Sequence, residues 1–357
     1  MPRWGVQAAV CAVVAAASLS ACSSDSGGDS APPNSTTTSR PPFNGKTLAN
    51  GDVQKVTDLG GTRMQPVTDA EVRGPGVALK LLEFGTAEQV DDTTGQSYRA
   101  PEKSTLIAFR TSTTVDKNVE NKNLSQLAFS VSVDGTQRTL SDFLTSESSS
   151  GPATASYIVA VPEERRTVGL QLKAPGLTQT IDLLEGKPGN DRPKALYRPT
   201  EGTVLKQEAL QPASFNVTPT ADRAPSQQTV TVKEVNFSYF NGVNSSVPSS
   251  PEKAWLTFVG ASVTTPRGIF CVTPISGHKL TDDTGATYTP NEASSKMPSE
   301  SFIAEESFTV SFEVPATIKG ATLIVAPTQM RCQVSTGNWV NRPSSGEAKI
   351  AVTIPEK

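Results

Sequence analysis

Val77-Ala-Leu-Lys-Leu-Leu-Glu-Phe84 and Val230-Thr-Val-Lys-Glu-Val-Asn-Phe237 are the stretches on which the reading of this chain turns. Each opens with aliphatic residues at alternate positions, places a Lys fourth and closes on Phe. Alternation of that kind marks a strand with one face buried. Three further matches follow in the same order. Pro101-Glu-Lys103 precedes Ser104-Thr-Leu-Ile-Ala-Phe109, and Pro251-Glu-Lys253 precedes Ala254-Trp-Leu-Thr-Phe258. Ser132-Val-Asp134-Gly135 answers to Thr281-Asp-Asp283-Thr-Gly285, and Val161-Pro162 to Val314-Pro315. The four offsets lie between 149 and 153 residues (230 − 77, 251 − 101, 283 − 134, 315 − 162). Any one could be chance, but four in one order at nearly constant spacing point to two tandem copies of one domain.

Between the matched segments lie more short apolar runs: Leu127 to Val133, Ser156 to Val161, Val168 to Leu172, Phe308 to Val314 and Ala321 to Val325. Turn pairs such as Asp134-Gly135, Pro175-Gly176 and Lys319-Gly320 separate them, at the spacing of a sandwich. After the N-terminal segment no window holds a helical period over three turns. The expected fold is therefore all-β: two tandem immunoglobulin-like antiparallel β-sandwiches. The first spans 43–188 and the second 201–357. They are joined by a Pro-, Gly- and charge-rich linker at 189–200. Asn50 to Arg73 shows no clear period, and the role of residues 43–75 stays open.

The N-terminus gives an address. Arg3 precedes a short apolar core, Val6 to Ala17, which ends at Leu19-Ser-Ala-Cys22. The core is too short to span a bilayer and fits a cleaved export signal, residues 1–21. Leu-Ser-Ala-Cys resembles the lipobox of bacterial lipoproteins. That resemblance implies a diacylglycerol on the Cys22 thiol, acylation with palmitate-type chains, and attachment to the outer face of the cell membrane. The alternative is a plain secretory signal with an incidental Cys. Residues 22–42 are Ser/Thr/Pro/Gly-rich and cannot bury a core, so a disordered tether is expected. Loss of residues 1–21 removes one base, Arg3, and takes the formal charge from −3 to −4. So mild a charge leaves no electrostatic footprint for nucleic acid.

Cysteine usage agrees with export. Cys11 lies in the signal and Cys22 is the acylation candidate, which leaves Cys271 and Cys332. A single remaining pair in an exported protein suggests a disulfide, worth about 3–4 kcal/mol in the chain-entropy model. A two-Cys metal site would want further soft ligands, and the chain has one histidine, His278.

Chemistry is otherwise sparse. A Ser-His-Asp triad would have to use His278, expected on a solvated loop, and no Gly-x-Ser-x-Gly elbow occurs. Ser276-Gly-His-Lys279 matches a Ser-x-x-Lys spacing but lacks that mechanism's companion segments. Asp91-Asp92-Thr-Thr-Gly95 and Asp282-Asp283-Thr-Gly285 could offer oxygens to calcium, yet Asp and Gly are also what a tight turn demands. No catalytic residue, cofactor or metal site is expected, and no enzyme. Phe237-Ser-Tyr-Phe240 has more aromatics than one strand face can bury, and Trp339 falls in an apparent loop after Cys332. Phe240 and Trp339 are therefore the candidate contacts for a protein or glycan partner in the envelope.

The second copy also resembles a known family. Trp255 to Phe258, Leu280-Thr-Asp-Asp-Thr-Gly-Ala-Thr-Tyr288, Phe308-Thr-Val-Ser-Phe-Glu-Val-Pro315 and Ala321-Thr-Leu-Ile-Val-Ala326 are similar to the telokin-like, immunoglobulin-like domain of exported bacterial proteins and lipoproteins. A secreted mycobacterial antigen family belongs to that group. The likeness covers some 100 residues of the second copy. The first copy departs from it, with Val133-Asp-Gly-Thr-Gln137 in place of the longer turn and no counterpart of Tyr288. The resemblance implies a sandwich and an actinobacterial lipoprotein, and brings no catalytic residues. The function expected is a non-enzymatic, lipid-anchored envelope protein presenting its sandwiches for binding or structural contacts. A carrier of a small hydrophobic ligand or lipid is the alternative, with a hydrolase behind it.

Overall fold

The computed structural model describes residues 42–115, 125–140, 152–199, 201–206, 210–218, 226–265, 270–297, 306–333 and 338–355. The expected export signal at 1–21, Cys22 and all but Pro42 of the expected tether at 22–42 lie outside them. Contacts divide the chain between Phe43 and Asn44, and residues 44–357 form one compact unit.

That unit is all-β, antiparallel except where Lys46–Thr47 runs parallel to Ser97–Arg99. One strand plan recurs in it. Val77–Ala87 pairs with Ser104–Val115, which pairs with Ala153–Pro162. Likewise Ser226–Ser238 pairs with Lys253–Thr265, which pairs with Glu306–Pro315. A second sheet orders Thr136–Thr139, Ala128–Val133, Val168–Ala174 and Leu177–Asp182 side by side. Its counterpart orders Thr287–Tyr288, His278–Asp282, Gly320–Val325 and Ala348–Thr353. The repeated motifs are thus physical partners. The Pro-Glu-Lys that precedes one strand lies beside the Val-Pro that closes another, with Ser104 opposite Pro162 and Lys253 opposite Pro315.

Packing follows from the alternation. In the first half Val77, Leu79, Leu81, Phe109 and Val159 of the larger sheet meet Phe129, Val131, Leu170, Leu172 and Ile181 of the smaller. In the second, Val230, Val232, Phe258, Val310 and Phe312 meet Leu280, Leu323, Val325, Ile350 and Val352. The Ser226–Ser238 strand buries Val230 and Val232, then Val235 and Phe237, a break of phase. A bulge between Val232 and Glu234 inserts the extra residue and returns Phe237 to the core. The Val77 strand has its own bulge between Leu81 and Glu83. Without it, every later side chain would face the other way.

The two halves differ in what is added. In the first, the larger sheet is covered on its other face by Gln89–Asp91, Ser97–Arg99 and Lys46–Thr47. Leu48, Val90 and Tyr98 there pack on Leu106, Ala108, Ile158 and Ala160. Burial on both faces explains the unbroken apolar run at Leu106 to Phe109. The unassigned stretch at 50–73 supplies short strands, Val53–Val56, Gln65–Pro66 and Glu71–Gly74. None exceeds four residues, too few to show a period.

Residues 189–200, expected as a linker, hold a 3-10 turn, Ala195–Tyr197, whose Ala195 and Leu196 join the core of the second half. Arg198 donates to the carbonyls of Ala316 (2.9 Å) and Ile318 (2.8 Å), and its guanidinium lies 4.8 Å from the Phe237 ring centre. Tyr197 donates to Glu71 O (3.2 Å), Arg73 donates to Leu196 O (3.2 Å), and Lys194 pairs with Glu252 at 2.6 Å. The Pro175-Gly176 turn packs on Val247, and a Cβ on Gly176 would lie 2.6 Å from Val247 Cγ2. Pro, Gly and charge here mark a packed junction in place of a solvated spacer.

Candidate functional site

In the first half, Val168–Ala174 and Leu177–Asp182 are joined by the two residues Pro175-Gly176. In the second, the equivalent strands Gly320–Val325 and Ala348–Thr353 are separated by 22 residues, whose described strands Gln329–Gln333 and Trp339–Ser345 form an arm. Gln329–Gln333 and Trp339–Ser345 pair there, with Gln329 opposite Pro343, Arg331 opposite Asn341 and Gln333 opposite Trp339. Phe270–Val272 adds a third strand, with Cys271 directly opposite Cys332. The arm joins the larger sheet where Asn216 and Val217 meet Ser345 and Ser344.

The disulfide Cys271–Cys332 closes a separation of 61 residues. Its position follows from alternation: Cys271, Met330, Cys332 and Arg342 are buried beneath the arm. Gln329, Arg331, Asn341 and Pro343 are exposed on its other face.

A groove of about 530 Å³ opens beside the disulfide. Gln329, Met330, Arg331 and Asn341 of the arm line one part of it, Val272, Pro274, Ser276 and Gly277 another, and Ala326 to Thr328 a third. Its walls are tied by main-chain bonds, Ala326 N to Gly277 O (2.9 Å) and Ser344 N to Thr328 O (3.2 Å). The volume lies in the range of small-molecule sites.

No protein-family model, curated protein or solved structure matches the chain.

The two expected contact aromatics part company. Trp339 is half-buried and begins a strand of the arm, so it is not in a loop. It lies two residues from Asn341, hence on the same face. Phe240 is buried at 6% exposure, with Tyr239 edge-on to it at 5.4 Å. Simple alternation would send one of Phe237, Tyr239 and Phe240 outward. However, the strand ends at Ser238, whose hydroxyl accepts from Phe240 N (3.1 Å) and donates to Phe240 O (2.6 Å). The chain bends there and all three rings enter the core. Phe240 is therefore no surface contact.

His278 is likewise corrected. It opens a strand and is buried at 3% exposure, its ring 5.5 Å from that of Phe308. Nδ1 lies 3.1 Å from Pro274 O, so it bears the proton and donates. Burial holds its pKa down to about 4, against weaker upward pulls from the carbonyls of Pro274 and Ile275. Ser276 lines the groove while His278 packs inward, so the two do not converge.

Asp282 is a turn residue. Its carboxylate accepts from Thr284 N (2.9 Å), Ala286 N (2.9 Å), Thr284 Oγ1 (2.7 Å) and Tyr288 OH (2.7 Å). Those bonds hold its pKa below the usual carboxylate value, and burial with the Asp282 contact pushes Tyr288 up to about 12. Asp134 accepts from Arg166 N and Thr167 N at 3.0 and 2.9 Å. Among the described residues no group of three or more His, Cys, Asp or Glu is placed to hold a metal ion. The facing sides of the sheets in the second half are filled by Phe258, Phe312, Leu256 and their neighbours.

The groove was not legible as a site. Its signal was a length: 22 residues between Val325 and Ala348 where the first copy uses two between Ala174 and Leu177.

Proposed function

We propose that this chain is an envelope-binding protein of the extracytoplasmic face, held to the membrane by lipid on Cys22. The tether carries the folded unit outward, and the groove of the second half meets the partner. The reading rests on one observation: the groove lies on an arm absent from the first half and cross-linked to its neighbouring strand by the disulfide. Cys271, Met330 and Cys332 on the inner face of the arm join the second half's core, and the covalent brace among them pre-orders the exposed face above.

The anchor is tested by metabolic labelling with an alkyne fatty acid and fractionation of expressing cells. Wild-type chain should carry label and sediment with membranes, and Cys22→Ala should lose both. Sedimentation of Cys22→Ala with membranes stripped of cell wall would overturn the lipid anchor. Binding is tested with the full-length Cys22→Ala chain added to isolated envelopes. Asn341→Trp, which fills the groove from an exposed position, should abolish retention. Retention unchanged by that substitution would remove the groove from the function.

A further inference from the structure

The lining of the groove narrows what it could hold. Among its described lining residues there is no carboxylate, and Arg331 is the single charge. That composition offers nothing to a metal cation, and a phosphate-rich ligand would draw on more than one base. The polar side chains are instead neutral: Ser276, Thr328, Gln329 and Asn341. Each of these both donates and accepts hydrogen bonds, as the hydroxyl of a sugar does. Beside them Pro274 is exposed and offers an apolar surface suited to the C–H face of a sugar ring, while Pro327 and Met330 are buried and form the floor.

A second feature lies on the same face. Trp339 stands two residues from Asn341 along one strand, so the two side chains rise about 7 Å apart on one side of the arm. Trp339 is half-buried, leaving part of its ring open, and the indole offers an apolar face with a polar edge. A chain of sugars could therefore lie with one unit among Gln329, Asn341 and Thr328 and the next against Trp339. The disulfide and strand pairing fix these groups before any ligand arrives, which lowers the ordering cost of binding.

We propose that the groove is a binding site for a neutral, hydroxyl-rich glycan of the cell envelope, with Gln329 and Asn341 reading its hydroxyls and Trp339 stacking on an adjacent unit. This rests on the groove being the envelope-binding site, and it specifies the ligand class.

The test uses the full-length Cys22→Ala chain and isolated envelopes divided into three portions: untreated, protease-digested, and periodate-oxidised to cleave vicinal diols. Retention should survive protease and be lost after periodate. Soluble neutral oligosaccharides released from the same envelopes by mild acid should compete for binding. Gln329→Ala, Asn341→Ala and Trp339→Ala should each weaken that competition about tenfold, the loss of a well-formed contact. Unchanged melting temperatures confirm that the exposed variants still fold, and Asn341→Gln should restore part of the affinity. If retention instead falls with protease and survives periodate, while Asn341→Trp still blocks it, the glycan assignment fails and the groove remains a site for protein. If the chain is not retained by untreated envelopes, the binding reading fails with it. Equal competition in wild type and all three alanine variants would place the glycan elsewhere and overturn the proposal.

Discussion

The two halves of the folded unit share a strand plan and differ in how they spend their extra residues. In the first, the additions form a three-stranded sheet that buries Leu48, Val90 and Tyr98 on the back of the larger sheet. In the second, they form an arm whose far face stays in solvent and which needs a disulfide to hold it. Both additions bury residues, the first as a separate cluster on the back of a sheet and the second by adding Cys271, Met330 and Cys332 to the core. Only the second also presents an exposed, groove-lining face. Where one strand plan recurs, the shared positions keep each half's fold, so a segment added to one half is free to acquire a separate role.

The comparison can be broken most forcefully in the cores. Phe258→Ala in the second half and Phe109→Ala in the first should each cost about 3–5 kcal/mol, because both rings are wholly buried. Chemical denaturation followed by intrinsic fluorescence measures each. Because Ala195 and Leu196 join the second half's core, both variants should lower a single transition. Two separated transitions would show that the junction does not couple the halves.

Removing the brace comes next. Replacing Cys271 and Cys332 together by Ala should destabilise the unit by about 4 kcal/mol, from the entropy of the released loop. Hydrogen exchange should rise first in Gln329–Gln333 and Trp339–Ser345, and little in the first half. Uniform loss of protection would mean that the disulfide braces the whole unit and not the arm alone.

Acid should distinguish the halves more gently. The unfolded chain protonates His278 near its ordinary value of 6.5, whereas burial delays this to about 4 in the folded protein. Between those values the unfolded state holds more protons, so stability falls as pH drops from about 6.5 to about 4, by about 3 kcal/mol at most. His278 is the only histidine of the chain, so His278→Gln should flatten this part of the pH–stability curve. An unchanged slope would locate acid sensitivity in the carboxylates.

The smallest effect belongs to the junction. Gly176 has a φ of +71° and packs on Val247, so Gly176→Ala should cost about 1–3 kcal/mol through strain and crowding. Asp134 (φ +47°) and Gly135 (φ +86°) make a comparable hairpin turn away from any such contact. Differential scanning calorimetry of Gly176→Ala against Gly135→Ala, whose Cβ would meet nothing within 4 Å, would separate crowding from turn strain.

Much of the fold was legible because its causes are local. Val77 to Phe84 and Val230 to Phe237 alternate, Asp134-Gly135 asks for a tight turn, and Pro-Glu-Lys and Val-Pro recur at fixed offset. What misled was local pattern read without its surroundings. Phe240 looked surplus to a strand that in fact ends at Ser238. His278 looked like a loop residue because Ser276 and Gly277 precede it, although Phe308 covers it. Residues 189–200 have the composition of a spacer, yet Leu196 and Arg198 find partners more than a hundred positions away.

By itself, the sequence determined the strands, the recurrence of one strand plan and the pairing of Cys271 with Cys332, because side-chain period and spacing are properties of the chain as written. It also carries Leu19-Ser-Ala-Cys22, and the proposed address rests on the resemblance of that stretch to a lipobox. The tertiary structure alone decided that the junction is packed, that His278 and Phe240 are interior, and that Ala326 to Arg331 and Asn341 meet Val272 to Gly277 around a groove. Burial and cavity shape arise from segments remote in sequence meeting in space, and no window along the chain holds both sides of such a contact.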